Sequence, residues 1–336
     1  MKRVNLFLPI TPYTLSIAES LIENDVNELS RSKNILINPH GLKYKKECWD
    51  EVIEDYSSRE VQNNFLKKYF NFLKQIFVFI KVYKRLAKYK DSVLDFYYVD
   101  LAHVLSNSIF FSFKNIEKRF VLEDGMLNYY KLTIEGKMLG KRSVNGFFKI
   151  LGLPTKFFFG DITGIEMDDV NKQFVFFPKF AFMPTKSEQI PYARFEYELS
   201  NKVLILGQEP ISKFVTEDKY LNSLDLIIQD MIINFGDVEL YYKPHHHGKK
   251  KLSREFLKKN YKVNFIENNL PIHIFIKEIS PSVIVSYGST ASLNLKLLLP
   301  ENVKSYVYLF RDSKLPTNTY LETLFAKLGI LITEIK

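Results

Sequence analysis

Three short stretches carry residue types that could do chemistry. The first is "YYKPHHHG", residues 241–248, which places His245, His246 and His247 in a row on a chain with six histidines. Side chains alternate on an extended chain, so His245 and His247 face one way and His246 the other. Three adjacent histidines therefore do not close around one metal without a ligand from elsewhere, and His40, His103 and His273 show no metal-ligand spacing with them. A single histidine aimed at a phosphate is the better chemistry, because an imidazolium stabilises or protonates a leaving phosphate. A solvated basic loop is the plain alternative, since Lys249, Lys250 and Lys251 follow. The second stretch is "FVLEDGMLNYY", where Glu123 and Asp124 precede Gly125 at the end of an apolar run. Only one of two adjacent carboxylates can point into a site from an extended chain, and that one suits general-base work on a hydroxyl. A strand-to-turn "DG" hairpin is the alternative there. The third is "VIVSYGSTASLNL". Gly288 permits a sharp turn, and Ser289 and Thr290 stand where a helix should begin. A helix N-terminus offers free N–H groups and the positive end of a dipole to a phosphate. An ordinary Ser/Thr cap also explains the pair.

The elements around these stretches read as an α/β protein. Val4–Leu8, a helix-like Leu15–Ile22 and "NILINP" give strand, helix and strand, the grammar of a parallel sheet. Residues 59–90 read as one or two long helices with a lysine-rich face. "VLDFYYV", a helix-like "LAHVLSNSIFF", "KRFVLED" and "LNYYKL" follow. Residues 174–199 are aromatic and broken by Pro178, Pro184 and Pro191, so they read as an interdomain connection with irregular strands. The pattern then restarts. "KVLILGQEP" is a buried strand ending in a Gly207-Gln208 loop, and "LNSLDLIIQDMII" is an amphipathic helix. "VELYYKPH" is a strand, "SREFLKKN" a helix opened by a Ser cap, "YKVNFIE" a strand and "PIHIFIKEI" a helix. "PSVIVSYGSTASLNLKLLL" is strand, turn and helix, "KSYVYLF" a strand and "TYLETLFAKLG" a closing helix. This predicts two Rossmann-like domains, 1–195 and 196–336, facing a central cleft, with ligands beyond the carboxyl ends of the strands.

The bulk numbers set limits. In 336 residues, 46% are hydrophobic, enough to fill two cores. The one cysteine, Cys48, excludes an internal disulfide and a cysteine-rich zinc site, and fits a reducing compartment. A net charge of +9 favours anionic partners, although a general excess of lysine in the composition produces the same balance. The N-terminal apolar run is broken by Pro9 and Pro12, so it reads as a buried strand rather than a secretion signal. No stretch is long and apolar enough to span a bilayer. "EGKMLGKRS" misses P-loop spacing by one residue, and "GDITGIEMDD" lacks calcium-loop spacing.

Taken in order, the three stretches resemble the bacterial sialyltransferases, a group that includes the lipooligosaccharide and capsule enzymes and the polysialyltransferases. The shared marks are an acid-acid-Gly motif, here Glu123-Asp124-Gly125; a His-Pro motif, here His245; and a later Ser/Thr pair, here Ser289-Thr290. "LILGQEP" resembles the strand and loop that open the family's donor domain, with Gly207 and Gln208 in the loop. The likeness runs through most of the chain. His246 stands where the family has proline, and the histidine role is carried to His245, after Lys243-Pro244.

The resemblance implies a GT-B fold and inverting transfer of sialic acid from CMP-sialic acid to a glycan hydroxyl, without metal or other cofactor. It implies Glu123 as base, since the family places its base at the first acidic position, with Asp124 as the alternative. His245, Gly288, Ser289 and Thr290 then meet the donor phosphate. The acceptor is expected to be a terminal galactose of a surface polysaccharide or lipooligosaccharide, with polysialic acid extension or another nucleotide sugar as alternatives. The expected partners are donor and acceptor, with no nucleic acid. The expected place is the cytoplasm, with attachment to the inner membrane face left open. A nucleic-acid-binding module using the basic aromatic surface is the competing class.

Overall fold

The computed structural model describes residues 3–55, 65–209, 215–245, 250–267, 272, 275–310 and 319–335. The chain divides into two units, Met1–Pro191 and Tyr192–Lys336.

The first unit is built on seven strands: β1 Arg3–Leu8, β2 Lys33–Asn38, β3 Glu51–Glu54, β4 Val93–Tyr98, β5 Ile116–Leu122, β6 Lys172–Val175 and β7 Ser187–Gln189. Their order is β3-β2-β1-β4-β5-β6-β7, and every pairing is parallel. Strands such as β1 and β4 are buried almost throughout because helices cover a parallel sheet on both faces. The helices are α1 Pro12–Glu23, α2 Phe65–Arg85, α3 Val104–Ser112 and α4 Arg142–Ile150. In α2, Ile76, Phe79, Val82 and the following Leu86 enter the core, while Lys74, Lys81 and Lys84 face water. It is a packed helix with a lysine-rich outer face. Residues 59–64, expected to be helical, lie outside the described residues.

The second unit carries six strands: β8 Ser200–Leu206, β9 Glu239–Lys243, β10 Val263–Phe265, β11 Pro281–Ser286, β12 Lys304–Phe310 and β13 Leu331–Ile335. Their order is β10-β9-β8-β11-β12-β13, again all parallel. Its helices are α5 Glu217–Phe235, α6 Lys250–Asn260, α7 Ile276–Ile279, α8 Thr290–Leu298 and α9 Thr319–Lys327. Both sheets share one plan. The first strand of each unit lies inside its sheet, and the order reverses beside it, between β1 and β4 and between β8 and β11. A crevice opens at such a reversal, beyond the carboxyl ends of the strands.

Several sequence expectations change. The aromatic stretch 174–199, expected as a connection with irregular strands, completes β6 and supplies all of β7, so part of it belongs to the first sheet. After β5, a short 3-10 turn over Gly125–Asn128 leads into irregular chain at "LNYYKL", to which the sequence assigned no element. The helix α9 does not close the chain, because β13 follows and adds an edge strand. The helix at "SREFLKKN" starts earlier than Ser253, and Ser253 is a buried side chain inside it rather than a cap.

One glycine in the second unit is fixed by close approach. A Cβ at Gly207 would lie 2.2 Å from Tyr242 Oη, and Tyr242 is fully buried. Gly207→Ala should therefore destabilise the fold by the ~1–3 kcal/mol typical of overpacking, read as a lower unfolding midpoint. Thermal unfolding of this variant against Gly146→Ala checks the cause, because a Cβ at Gly146 meets nothing within 4 Å and the position has no left-handed φ. An equal loss in both variants would assign the effect to general glycine replacement.

Candidate active site

In the first unit the acidic pair sits where β5 runs out. Glu123 is fully buried. Its Oε1 accepts a hydrogen bond from Tyr13 Oη at 2.6 Å. Its Oε2 accepts from Tyr129 Oη at 2.7 Å and from the Phe176 backbone N–H at 2.7 Å. Tyr13 is placed by the start of α1. Thr11 caps that helix by accepting from the Thr14 N–H, the Thr14 hydroxyl accepts back from the Thr11 N–H, and Pro12 opens the first turn. Burial pushes the Glu123 carboxyl up to about 7, against the three donors, which favour its charge.

Asp124 is built differently. Its side chain is only half-buried, and burial raises its carboxyl. Its backbone N–H donates to Asn128 Oδ1 at 2.9 Å, and Asn128 Nδ2 donates to Gln173 Oε1 at 3.1 Å, so β6 fixes the turn. Gly125 takes a φ of +65° to make that turn. Of the two carboxylates, Glu123, expected as the base, is enclosed by its three donors, and Asp124 is the one that water or a ligand can reach.

The neighbouring strand ends add groups that sequence reasoning passed over. After β4, Asp100 is nearly buried, and burial raises its carboxyl to about 6, with the Asp124 charge adding to the rise. Asp100 Oδ1 accepts from the His103 N–H at 2.8 Å. His103 caps α3 by accepting at Nδ1 from the Ser106 N–H at 3.4 Å. His103 Nε2 lies 3.3 Å from Nε2 of His40, which follows β2, so one ring donates to the other. The only sequence signal for this pair was position, since each histidine follows a buried strand by a few residues.

In the second unit, Gly207-Gln208, His245 and Gly288-Ser289 come together at one sheet edge. Leu206 pairs with Lys243 on one side and Ser286 on the other. His245 and Ser289 therefore flank the loop that leaves β8. That loop is pinned by a residue missed in the sequence, Glu209, which is buried. Its Oε1 accepts from Tyr242 Oη at 2.7 Å and Ser253 Oγ at 3.0 Å, and its Oε2 accepts from the His245 N–H at 2.8 Å. The Gln208 N–H donates to Tyr220 Oη at 3.3 Å. A glutamate next to a glycine loop and before a proline was visible at "GQEP", but its partners are too far away in sequence to infer. Gly288 has a φ of +74°, which a side chain would resist. Ser289 is the N-cap residue of α8, yet its hydroxyl makes no cap hydrogen bond, and its Oγ lies 3.5 Å from Ser292 Oγ. Thr290 is the first residue of that helix. His246, His247 and His273 lie outside the described residues. Among the described residues, no three His, Cys, Asp or Glu side chains gather as a metal site.

No protein-family model and no curated protein matches the chain. Solved structures do. An α/β-galactoside α-2,3-sialyltransferase from the luminous marine bacterium Photobacterium phosphoreum aligns over 99% of this chain and 98% of its own, with a TM-score of 0.58 at 13% identity. A 2,6-sialyltransferase of Photobacterium sp. JT-ISH-224, solved with CMP and lactose, aligns over 98% and 78%, with a TM-score of 0.53 at 11% identity. A UDP-N-acetylglucosamine 2-epimerase from Listeria monocytogenes, so described with reservation, aligns over 97% and 82%, with a TM-score of 0.53 at 10% identity. The chain has the GT-B fold, with two parallel-sheet Rossmann-like units.

The raised Glu123 carboxyl has a consequence for stability. The folded state keeps a proton that the unfolded chain releases, so stability falls as pH rises from ~4.5 to ~7 and levels off above. The stability difference between wild type and Glu123→Gln should shrink in wild-type disfavour across that window. Thermal unfolding of both proteins from pH 4.5 to 8 reads it, and a difference that stays flat would place the carboxyl at its ordinary value.

Proposed function

We propose that the protein is an inverting sialyltransferase. It moves sialic acid from CMP-sialic acid to a glycan hydroxyl, first of all a terminal galactose of a surface polysaccharide or lipooligosaccharide, and acts in the cytoplasm. The observation that carries this reading is the Glu123–Asp124 pair: one carboxylate locked by three donors and the next left accessible with a raised pKa, within the motif that resembles the sialyltransferases. The likeness of the whole chain to sialyltransferase structures supports it.

In this reading Asp124, not Glu123, accepts the proton of the acceptor hydroxyl as that oxygen attacks the anomeric carbon. Burial makes Asp124 a stronger base than a solvated aspartate, which suits the task. Glu123 is a positioning residue that fixes the strand end. The bond from sugar to phosphate breaks as the new bond forms, and the electron pair leaves on the CMP phosphate. That charge is met by His245, by the Ser289 and Thr290 hydroxyls and by the N–H groups at the start of α8 after Gly288. Glu209 holds the backbone at His245, and Gly207-Gln208 form the adjoining donor loop. These residues serve the reaction without a metal ion.

Incubation with CMP-sialic acid and a panel of galactosides and sialosides, followed by linkage analysis, tests the function. CMP should be released in step with sialylated product, and EDTA should leave the rate unchanged. His245→Ala should slow transfer by roughly 10²–10³-fold, the scale for losing one group that stabilises developing charge. Turnover of a UDP-sugar with CMP-sialic acid untouched would overturn the reading.

A further inference from the structure

The segment 137–160 is basic. It holds five cations, Lys137, Lys141, Arg142, Lys149 and Lys156, and no aspartate or glutamate. All five are exposed, and none forms an ion pair among the described residues. Elsewhere lysines do find partners, as Lys131 does with Glu166 and Lys172 with Glu188.

The same segment shows large apolar side chains to water. Ile150 is 87% exposed, Phe159 69% and Phe147 47%. They belong to one face. The buried side of α4 is occupied by Asn145 and Phe148. Asn145 Nδ2 donates to the carbonyls of Leu139 and Lys141, and the Phe148 ring packs 6.5 Å from Phe72 of α2. Around the helix from there, the outward arc runs Phe147, Ser143, Ile150, Gly146, Arg142. The Arg142 guanidinium lies over the Phe157 ring at 5.3 Å, and Phe157 meets Phe159 edge-on at 4.7 Å. The apolar groups therefore continue from α4 across Arg142 to Phe159, with Arg142 and Lys149 at the border of the arc on the helix itself.

We infer that this face docks the protein on an anionic lipid bilayer. Aromatic and aliphatic side chains flanked by lysine and arginine on a short amphipathic helix suit the boundary between headgroups and acyl chains. Unpaired cations suit the negative surface of such a membrane. A second copy of the chain fits poorly, because a self-complementary contact would set Arg142 and Lys149 against the same two cations. A nucleic acid would leave Ile150 and Phe147 without an apolar partner. The inference does not depend on the proposed reaction, since binding is read without sugar transfer.

Co-sedimentation of the full chain with vesicles tests it, using equal parts phosphatidylglycerol and phosphatidylcholine against phosphatidylcholine alone. The protein should pellet with the anionic vesicles only, and added salt should weaken binding. The double variant Phe147→Ser/Ile150→Ser should lower the partition coefficient by roughly tenfold or more. Lys141→Glu/Lys149→Glu should do so as well, while the thermal unfolding of both stays close to wild type. Wild-type protein remaining in the supernatant, or variants that pellet as wild type does, would overturn the inference. So would sedimentation velocity showing a dimer that the Phe147→Ser/Ile150→Ser variant abolishes while wild type ignores vesicles.

Discussion

Burial of the Glu123 carboxylate is the constraint on which the first unit's site depends. A carboxylate taken out of water is costly unless its oxygens are met by donors. Here the donors come from three places: Tyr13 at the start of α1, Tyr129 beyond the acidic turn, and the Phe176 N–H just past β6. Each must be in position for the charge to be tolerated, so the group ties together segments far apart in sequence. Removing any one donor leaves the remainder to hold a charge in a dry place, which is why the arrangement specifies geometry more than it adds stability. The product of that arrangement is a fixed strand end from which the next residue, Asp124, is presented.

The second unit repeats the device with different residues. Glu209 is another buried carboxylate at a carboxyl sheet edge, and its donors are Tyr242, Ser253 and the backbone at His245. Tyr242 comes from β9, Ser253 from α6 and Glu209 from the loop after β8, so one side chain sets the relation between the Gly207-Gln208 loop and His245. Gly207 is glycine because Tyr242 occupies the space a side chain would need. This also bears on the position where the sialyltransferase pattern has proline and this chain has His246. Proline would fix the chain direction there, and the hydrogen bond from the His245 N–H to Glu209 fixes it just before that point by another means.

Much of the fold was legible because parallel strands buried on both faces are continuous apolar runs, and runs such as "NLFL", "ILI" and "VIV" announce themselves. The parts that were not legible are the edges. β7 is three residues long among prolines, and β13, "LITEI", is short, carries Thr333 and Glu334 and follows the helix expected to close the chain. The acidic pair shows the same limit in the site. Alternation said that one carboxylate turns inward, but it could not say which, because the donors for Glu123 lie outside the motif. Glu209, His40 and His103 were hidden for that reason too: their roles rest on partners brought together only by the folded sheet. The two sheets share strand order, so the carboxyl edges where these residues gather could be anticipated, although the individual contacts could not.

Adjacent carboxylates divide the labour in the proposed reaction, and single-turnover transfer from CMP-sialic acid by Asp124→Asn and Glu123→Gln measures that division directly. Asp124→Asn should lose transfer by roughly 10²–10⁴-fold, the range for a general base, while CMP binding stays intact. Glu123→Gln should fold less stably near pH 4.5 than wild type yet retain a larger share of the transfer rate. An active Asp124→Asn beside an inactive, fully folded Glu123→Gln would contradict the account and return the base to the buried residue.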